Sequence, residues 1–176
     1  MVDKQDKDRS LQNLGKLLRI TEFAKDSAST ILSGTDVDII PTLLIESSDE
    51  TMVIHQMDVN SVEAPLEIQY ILSKLNAECY ALITEAYATE FTPPDGVSIA
   101  DMAPEDRKEV VSIISCDRFK NIIFITGDIA KNRTVSDWDQ TIYQYDENDT
   151  NKKVAGRLLI TEWMTSNEKG KANATN

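Results

Sequence analysis

Residues 75–91 read LNAECYALITEAYATEF, and the pattern of apolar residues changes within this stretch. Up to Leu75 the apolar positions recur every three or four residues, as on one face of a helix. These positions are Ile68, Ile71, Leu72 and Leu75. After Ala77 the chain becomes rich in aromatic and β-branched residues, which is typical of a strand. The stretch therefore predicts a helix over 62–76 that is followed directly by a long strand.

A second amphipathic helix is predicted over 10–33, because its Leu, Ile and Ala residues also recur at helical spacing, and Gly34 ends it. The helix over 62–76 has two alternative starts. Asn60 and Glu63 are spaced as in a capping box, whereas Pro65 would suit the first helical position.

Strand-like apolar runs occupy much of the remaining chain. They lie at 39–46, 51–59, 109–116, 121–130, 141–145 and 154–164. Short polar loops between such runs favour antiparallel pairing. We therefore predict an α+β fold in the order α-ββ-α-ββββ(β). Its open antiparallel sheet has five to seven strands, with the two helices on one face.

One domain is predicted over 10–165. The charged residues 1–9 are predicted to be flexible, and 166–176 are predicted to be disordered because they lack an apolar anchor. The start MVDKQDKDRS is polar where a leader peptide would be apolar, and no apolar run approaches the length of a membrane span. These features predict a cytoplasmic protein without a membrane partner.

The charge balance limits the class of partner. The 176 residues include 30 acidic and 18 basic side chains, which gives a net charge of −12. An acidic field repels the phosphates of nucleic acids, so direct binding of nucleic acid is not expected. Cys79 and Cys116 lie in apolar runs, where free thiols behave as small hydrophobic side chains.

The motifs of common catalytic sites are missing from the sequence. Its six glycines are widely spaced, so neither a P-loop nor a dinucleotide-binding loop can be built from them. A single histidine, His55, argues against histidine-rich metal sites and Ser-His-acid triads. Asp95, followed by Asp106 and Lys108, matches a nuclease pattern, but these residues fall in turn-like segments. We predict no catalytic residue, no metal and no cofactor.

Glu85 interrupts an otherwise apolar strand between Ile83 and Tyr87. A half-buried carboxylate needs a partner, because an isolated buried charge is costly. Arg107 begins the strand that should return beside it, so we predict a structural ion pair between Glu85 and Arg107. The alternative is a polar binding site at the mouth of the 92–106 loop.

Glu85-Ala86-Tyr87, followed by a loop and then PEDRKEVVSI at 104–113, resembles a family of small uncharacterised proteins of bacteria, archaea and phages. The resemblance covers 81–116 and implies no activity, because that family has none assigned. It is compatible with an origin in a phage or mobile element, and it points to Glu85, Tyr87, Arg107 and Glu109 as candidate binding residues.

The sequence thus favours a non-enzymatic, soluble binding or interaction module, which is either a monomer or a homodimer and whose partner is a protein or a small ligand. Two alternatives remain. One is an acidic inhibitor that mimics nucleic acid. The other is a carboxylate-dependent Mg²⁺ hydrolase built on Glu85, Asp101, Asp106 and Glu109.

Overall fold

The computed structural model describes residues 4–34, 37–90, 92–119 and 121–144. These residues form two helices and six strands, in the order α1 (Lys4–Gly34), β1 (Thr42–Ser47), β2 (Met52–Gln56), α2 (Ala64–Lys74), β3 (Ala77–Ala88), β4 (Lys108–Asp117), β5 (Asn121–Ile129) and β6 (Val135–Gln144). Two short 3-10 turns, Ile99–Asp101 and Pro104–Asp106, lie between β3 and β4. None of the helices in these described segments is both long enough and apolar enough to cross a bilayer.

The six strands form one open antiparallel sheet in the order β2-β1-β3-β4-β5-β6. This arrangement confirms the predicted fold class and element order. Residues 141–144 of the strand predicted over 141–145 belong to the longer β6, which pairs along the length of β5, and Tyr145 lies outside the described residues. The predicted strand at 154–164 lies outside the described residues, as does the predicted tail.

The position of α2 differs from the prediction that both helices lie on one face of the sheet. α1 packs against Leu44 and Ala81, whereas α2 packs against their neighbours Leu43 and Tyr80. Successive strand residues point to opposite faces, so the helices cover opposite faces of the sheet. The physical reason is that β1 and β3 are apolar at consecutive positions, as strands buried on both sides are.

α1 begins at Lys4, earlier than the predicted start at residue 10. Its buried face packs on the sheet through Leu17, Ile20, Ala24, Ala28 and Leu32. Two ion pairs join it to strands: Arg19 Nη2 lies 2.6 Å from Glu46 Oε1, and Lys16 Nζ lies 2.7 Å from Glu78 Oε2. These contacts join α1 to β3 and β1.

α2 starts close to the second of the two predicted alternatives, since Ala64 is its first residue and Pro65 its second. Pro65 lies in its first turn, and the residue at the N-cap is Glu63, whose side chain makes no capping hydrogen bond. Its buried residues Ile68 and Leu72 contact the sheet. On the side nearest β2, Glu67 Oε1 lies 2.9 Å from Nε2 of His55, so the single histidine joins the helix to the strand.

Candidate functional site

The four predicted site residues lie together at one end of the sheet, on the face that α1 covers. Glu85 and Tyr87 follow Ile83 at alternate positions of β3, and Ile83 packs against α1. Glu109 of β4 is directly opposite Tyr87, and Arg107 immediately precedes that strand. The sheet register therefore brings these side chains to one surface.

Glu85 pairs with Arg133 and not with Arg107. Arg133 Nη2 donates to Glu85 Oε1 at 2.7 Å, and Nη1 donates to Oε2 at 3.4 Å. The predicted partner was wrong because Glu85 lies opposite Val111, whereas Arg107 precedes β4 and is four residues from Val111. That separation corresponds to about 13 Å along the strand.

A backbone group completes the surroundings of the Glu85 carboxylate. The N–H of Ile39, in the segment that follows α1, donates to Glu85 Oε1 at 2.6 Å. Both carboxylate oxygens are thus engaged by donors of the chain itself. The prediction that Glu85 needs a cationic partner is confirmed, and the side chain takes part in the fold.

From the loop between β5 and β6, Arg133 contacts three other parts of the structure, which are β3, β4 and the segment after α1. Besides Glu85, its guanidinium lies 3.5 Å from Asp38 and 3.9 Å from Glu109, and it donates to the carbonyl of Val37 at 3.0 Å. Its side chain is only 16% exposed. The hydrogen bond to Glu85 and the nearby carboxylates raise the pKa of Arg133 above its ordinary value. The arginine therefore stays charged and holds the loop against the sheet.

The backbone of Arg133 is unusual, since its φ of +61° lies in the left-handed region. A residue with a β-carbon occupies this region at a cost. The conformation aims the side chain at Glu85 on β3, two strands away from β5 in the sheet order. The ionic contacts of the guanidinium, and the hydrogen bond from the Arg133 N–H to the Ala130 carbonyl at 2.8 Å, both help to offset this cost.

Tyr87 and Arg107 form a stacked pair on the outside of this cluster. The guanidinium carbon of Arg107 lies 4.2 Å from the centre of the Tyr87 ring. Tyr87 is 40% exposed, and the side chain of Glu109, opposite it on β4, is 53% exposed. We call Tyr87, Arg107 and Glu109 the rim surface. Tyr87 and Glu109 are more exposed than Glu85, whose side chain is 19% exposed.

The carboxylates of the predicted Mg²⁺ site are arranged differently. Asp101 and Asp106 are exposed in the two 3-10 turns, while Glu85 is engaged by Arg133. Within the described segments, no three His, Cys, Asp or Glu side chains are grouped so that they could hold a metal ion. A guanidinium against Glu85 supplies the positive charge that a metal would otherwise supply.

Sequence reasoning missed Arg133, although a signal for it exists. In an antiparallel run from β3 to β6, the β5–β6 loop returns to the end of the sheet where β3 ends. A basic residue in that loop can therefore reach a carboxylate near the end of β3. Chain proximity favoured Arg107, whereas the strand order favours Arg133.

No protein-family model, no curated protein and no solved structure matches this chain. The resemblance of 81–116 to a prokaryotic and phage family therefore stays a prediction. What the protein does has to be argued from the geometry of its own residues.

Proposed function

We propose that the protein is a non-enzymatic interaction module that binds a protein partner through the rim surface. The observation that carries this proposal is the exposed Tyr87 ring with the Arg107 guanidinium stacked on it at 4.2 Å. Tyrosine and arginine are among the residues that contribute most binding free energy at protein interfaces. The stacked pair offers an apolar face together with a positive charge.

The surroundings of the rim surface support a role in binding because they hold it in place. Tyr87 and Glu109 are directly opposite each other on paired strands, so their backbones are fixed by the sheet. Beneath them, Arg133 ties Glu85 to the neighbouring loop. A preorganised surface loses little conformational entropy when it binds a partner.

The charges of the rim surface indicate what the partner presents. Arg107 is positive, and Glu109 lies close by with the opposite charge. A partner surface with a carboxylate for Arg107 and an apolar side chain for the Tyr87 ring complements this arrangement. We place this interaction in the cytoplasm. Nucleic acids and anionic membranes are disfavoured as partners, because the net charge of −12 repels their phosphates.

The two alternative functions have weaker support. Nucleic-acid mimicry needs a row of acidic side chains, whereas the rim surface alternates in sign. Magnesium-dependent hydrolysis built on Glu85 needs a carboxylate that is open to a metal, whereas Arg133 and the Ile39 N–H engage this one.

Photo-crosslinking in the cells that carry the gene tests the proposal. We expect p-benzoylphenylalanine at position 87 to give a discrete adduct that weakens when Arg107 is also changed to alanine. Tyr70 is a matched control, since it is 65% exposed on α2 and has Lys74 Nζ at 5.7 Å from its ring. The same photoreactive residue at position 70 should not give that adduct. Equal adducts from both positions, or none from position 87, would contradict the proposal.

A further inference from the structure

The direction of the backbone groups of β2 follows from two hydrogen bonds at its ends. The Met57 N–H donates to Pro41 O at 3.0 Å, and the Ser47 N–H donates to Thr51 O at 3.1 Å. In an antiparallel pair, residues at alternate positions direct both N–H and C=O to the same neighbour. The odd-numbered residues of β2 therefore bond to β1. Met52, Ile54 and Gln56 direct their N–H and C=O groups away from it.

These outward groups lie on a sheet edge that lacks the usual protection. β2 is the terminal strand, and no other strand among the described residues pairs with its outer side. Its sequence MVIHQ contains neither a charged residue nor a proline, and its register with β1 is continuous. Natural edge strands are usually blunted by charges, prolines or bulges. Ile54, at the centre of the strand, is 61% exposed.

The surroundings of β2 are acidic at both ends. Asp49 and Glu50 precede the strand in the hairpin, and Asp58 follows it, all three exposed. Glu67 of α2 adds a further carboxylate beside His55. An apolar strand edge flanked by carboxylates complements an extended segment that carries basic residues at its ends.

A second copy of the chain fits this edge less well. Two copies could pair their β2 strands antiparallel about a two-fold axis through Ile54. Met52 of one copy would then face Gln56 of the other, which gives the register with the most hydrogen bonds. The same register would place Glu50 of each copy opposite Asp58 of the other. Like charges directly opposite across two strands destabilise their pairing.

We propose that β2 binds an extended segment of another protein by strand addition. The segment has apolar side chains at alternate positions and Lys or Arg at its ends. Its backbone bonds to the N–H and C=O groups of Met52, Ile54 and Gln56, while its basic ends lie near Asp49, Glu50 and Asp58. This site is on the far edge of the sheet from β5 and β6 and does not depend on the rim surface.

Binding of designed peptides to the full chain tests the proposal. The probe is a fluorescein-labelled peptide, KKVTITVKK, and its charge control is EEVTITVEE. In fluorescence polarisation we expect the lysine peptide to bind at least about tenfold more tightly, because its end charges pair with carboxylates and those of the control repel them. In amide-exchange NMR, the peptide should slow exchange at Met52, Ile54 and Gln56.

Ile54→Pro is the variant that separates strand addition from other binding. The Ile54 N–H points outward, so proline removes it without removing a hydrogen bond to β1. We expect this variant to keep its fold and to bind the lysine peptide at least about tenfold more weakly. The matched change Ile54→Thr keeps the N–H and should weaken binding by no more than about fivefold.

Five outcomes would overturn the proposal. The lysine peptide could fail to bind, or could bind no more tightly than the glutamate peptide. Ile54→Pro could bind as well as the wild type while remaining folded. Slow exchange of the outward amides in the monomeric, peptide-free protein would mean that the chain covers its own edge. A dimer that Ile54→Pro dissociates in sedimentation would mean that a second copy is the occupant.

Discussion

Arg133 and Glu85 lie 48 residues apart in the chain, yet Arg133 Nη2 is 2.7 Å from Glu85 Oε1 at the end of the sheet. The side chains are only 16% and 19% exposed. Since Glu85 also accepts the N–H of Ile39, this one ion pair connects β3, the loop after β5 and the segment after α1. This ion pair is part of the fold, and it lies directly beside the rim surface.

Removal of the arginine side chain should destabilise the fold. In Arg133→Ala the Glu85 carboxylate loses its cation while remaining largely shielded from water. We expect a loss of about 2–4 kcal/mol in the free energy of unfolding, which is above the values for exposed pairs and overlaps those for buried pairs. Urea denaturation followed by circular dichroism measures it.

A double-mutant cycle identifies the partner of Glu85. The cycle uses Glu85→Gln, Arg133→Met and the two changes together. The double variant should recover much of the stability lost in Arg133→Met alone, with a coupling free energy of at least about 1.5 kcal/mol. Arg107→Ala is the matched control, because it removes only a stacking contact, and it should cost about 1 kcal/mol or less. A coupling near zero with Arg133, or a large one with Arg107, would contradict the observed pairing.

Gly127 is predicted to tolerate no side chain. A β-carbon there would lie 2.5 Å from Val135 Cγ1 and 2.7 Å from Trp138 Cε3. Gly127→Ala should therefore cost about 1–3 kcal/mol, because the core is already filled. With Val135→Ala added, the total cost should be less than the sum of the two single changes.

Gly15 provides the contrasting control for this prediction. No atom lies within 4 Å of a β-carbon placed at Gly15, which is inside α1. Gly15→Ala should stabilise the protein by up to about 1 kcal/mol, since alanine favours the helix. Thermal denaturation of both variants measures these opposite effects. Equal stability of Gly127→Ala and wild type would show that the sheet is less tightly packed there.

Both cysteines should be unreactive in the folded protein. Burial raises the pKa of Cys116 to about 12 from its ordinary value of 9.0, and it raises the pKa of Cys79 further. At pH 8 the thiols are therefore neutral, and thiolates are the reactive species. Labelling with DTNB should be slow in buffer and rapid for both thiols in urea.

The same shifts give a direction for the pH dependence of stability. The folded thiols have the higher pKa, so the unfolded chain loses thiol protons first as pH rises. The thiol contribution to stability is thus complete below the ordinary thiol pKa and decreases above it. A Cys79→Ala/Cys116→Ala variant should show a smaller decrease between pH 8 and 10. Rapid native labelling of either thiol would contradict the burial.

Much of the fold was predictable because the spacing of apolar residues determines each helix or strand, and short loops determine how neighbouring strands pair. The change of period at Ala77 separates α2 from β3, as the structure shows. The side on which α2 packs was not predictable, because Leu43 and Leu44 are both apolar and offer a helix either face. Which face is filled depends on the packing of the whole domain.

The candidate site was predictable in part for a similar reason. Glu85 interrupts an apolar strand, and that pattern alone indicates a need for a cationic partner. The choice between Arg107 and Arg133 depends on the register of β3 against β4 and on the position of the β5–β6 loop. Neither can be read from the composition of one segment. The stacking of Arg107 on Tyr87 follows once Arg107 is free of Glu85.

If the rim surface binds a protein partner, changes to its side chains should weaken binding of that partner without lowering the stability of the fold. Titration of the partner identified by crosslinking should show at least about tenfold weaker binding by Tyr87→Ala and by Arg107→Ala. Their free energies of unfolding should stay within about 1 kcal/mol of wild type, because these side chains are exposed. Tyr70→Ala, on α2, should leave both quantities unchanged. A folded Tyr87→Ala protein that binds the partner as tightly as wild type would contradict the proposed function.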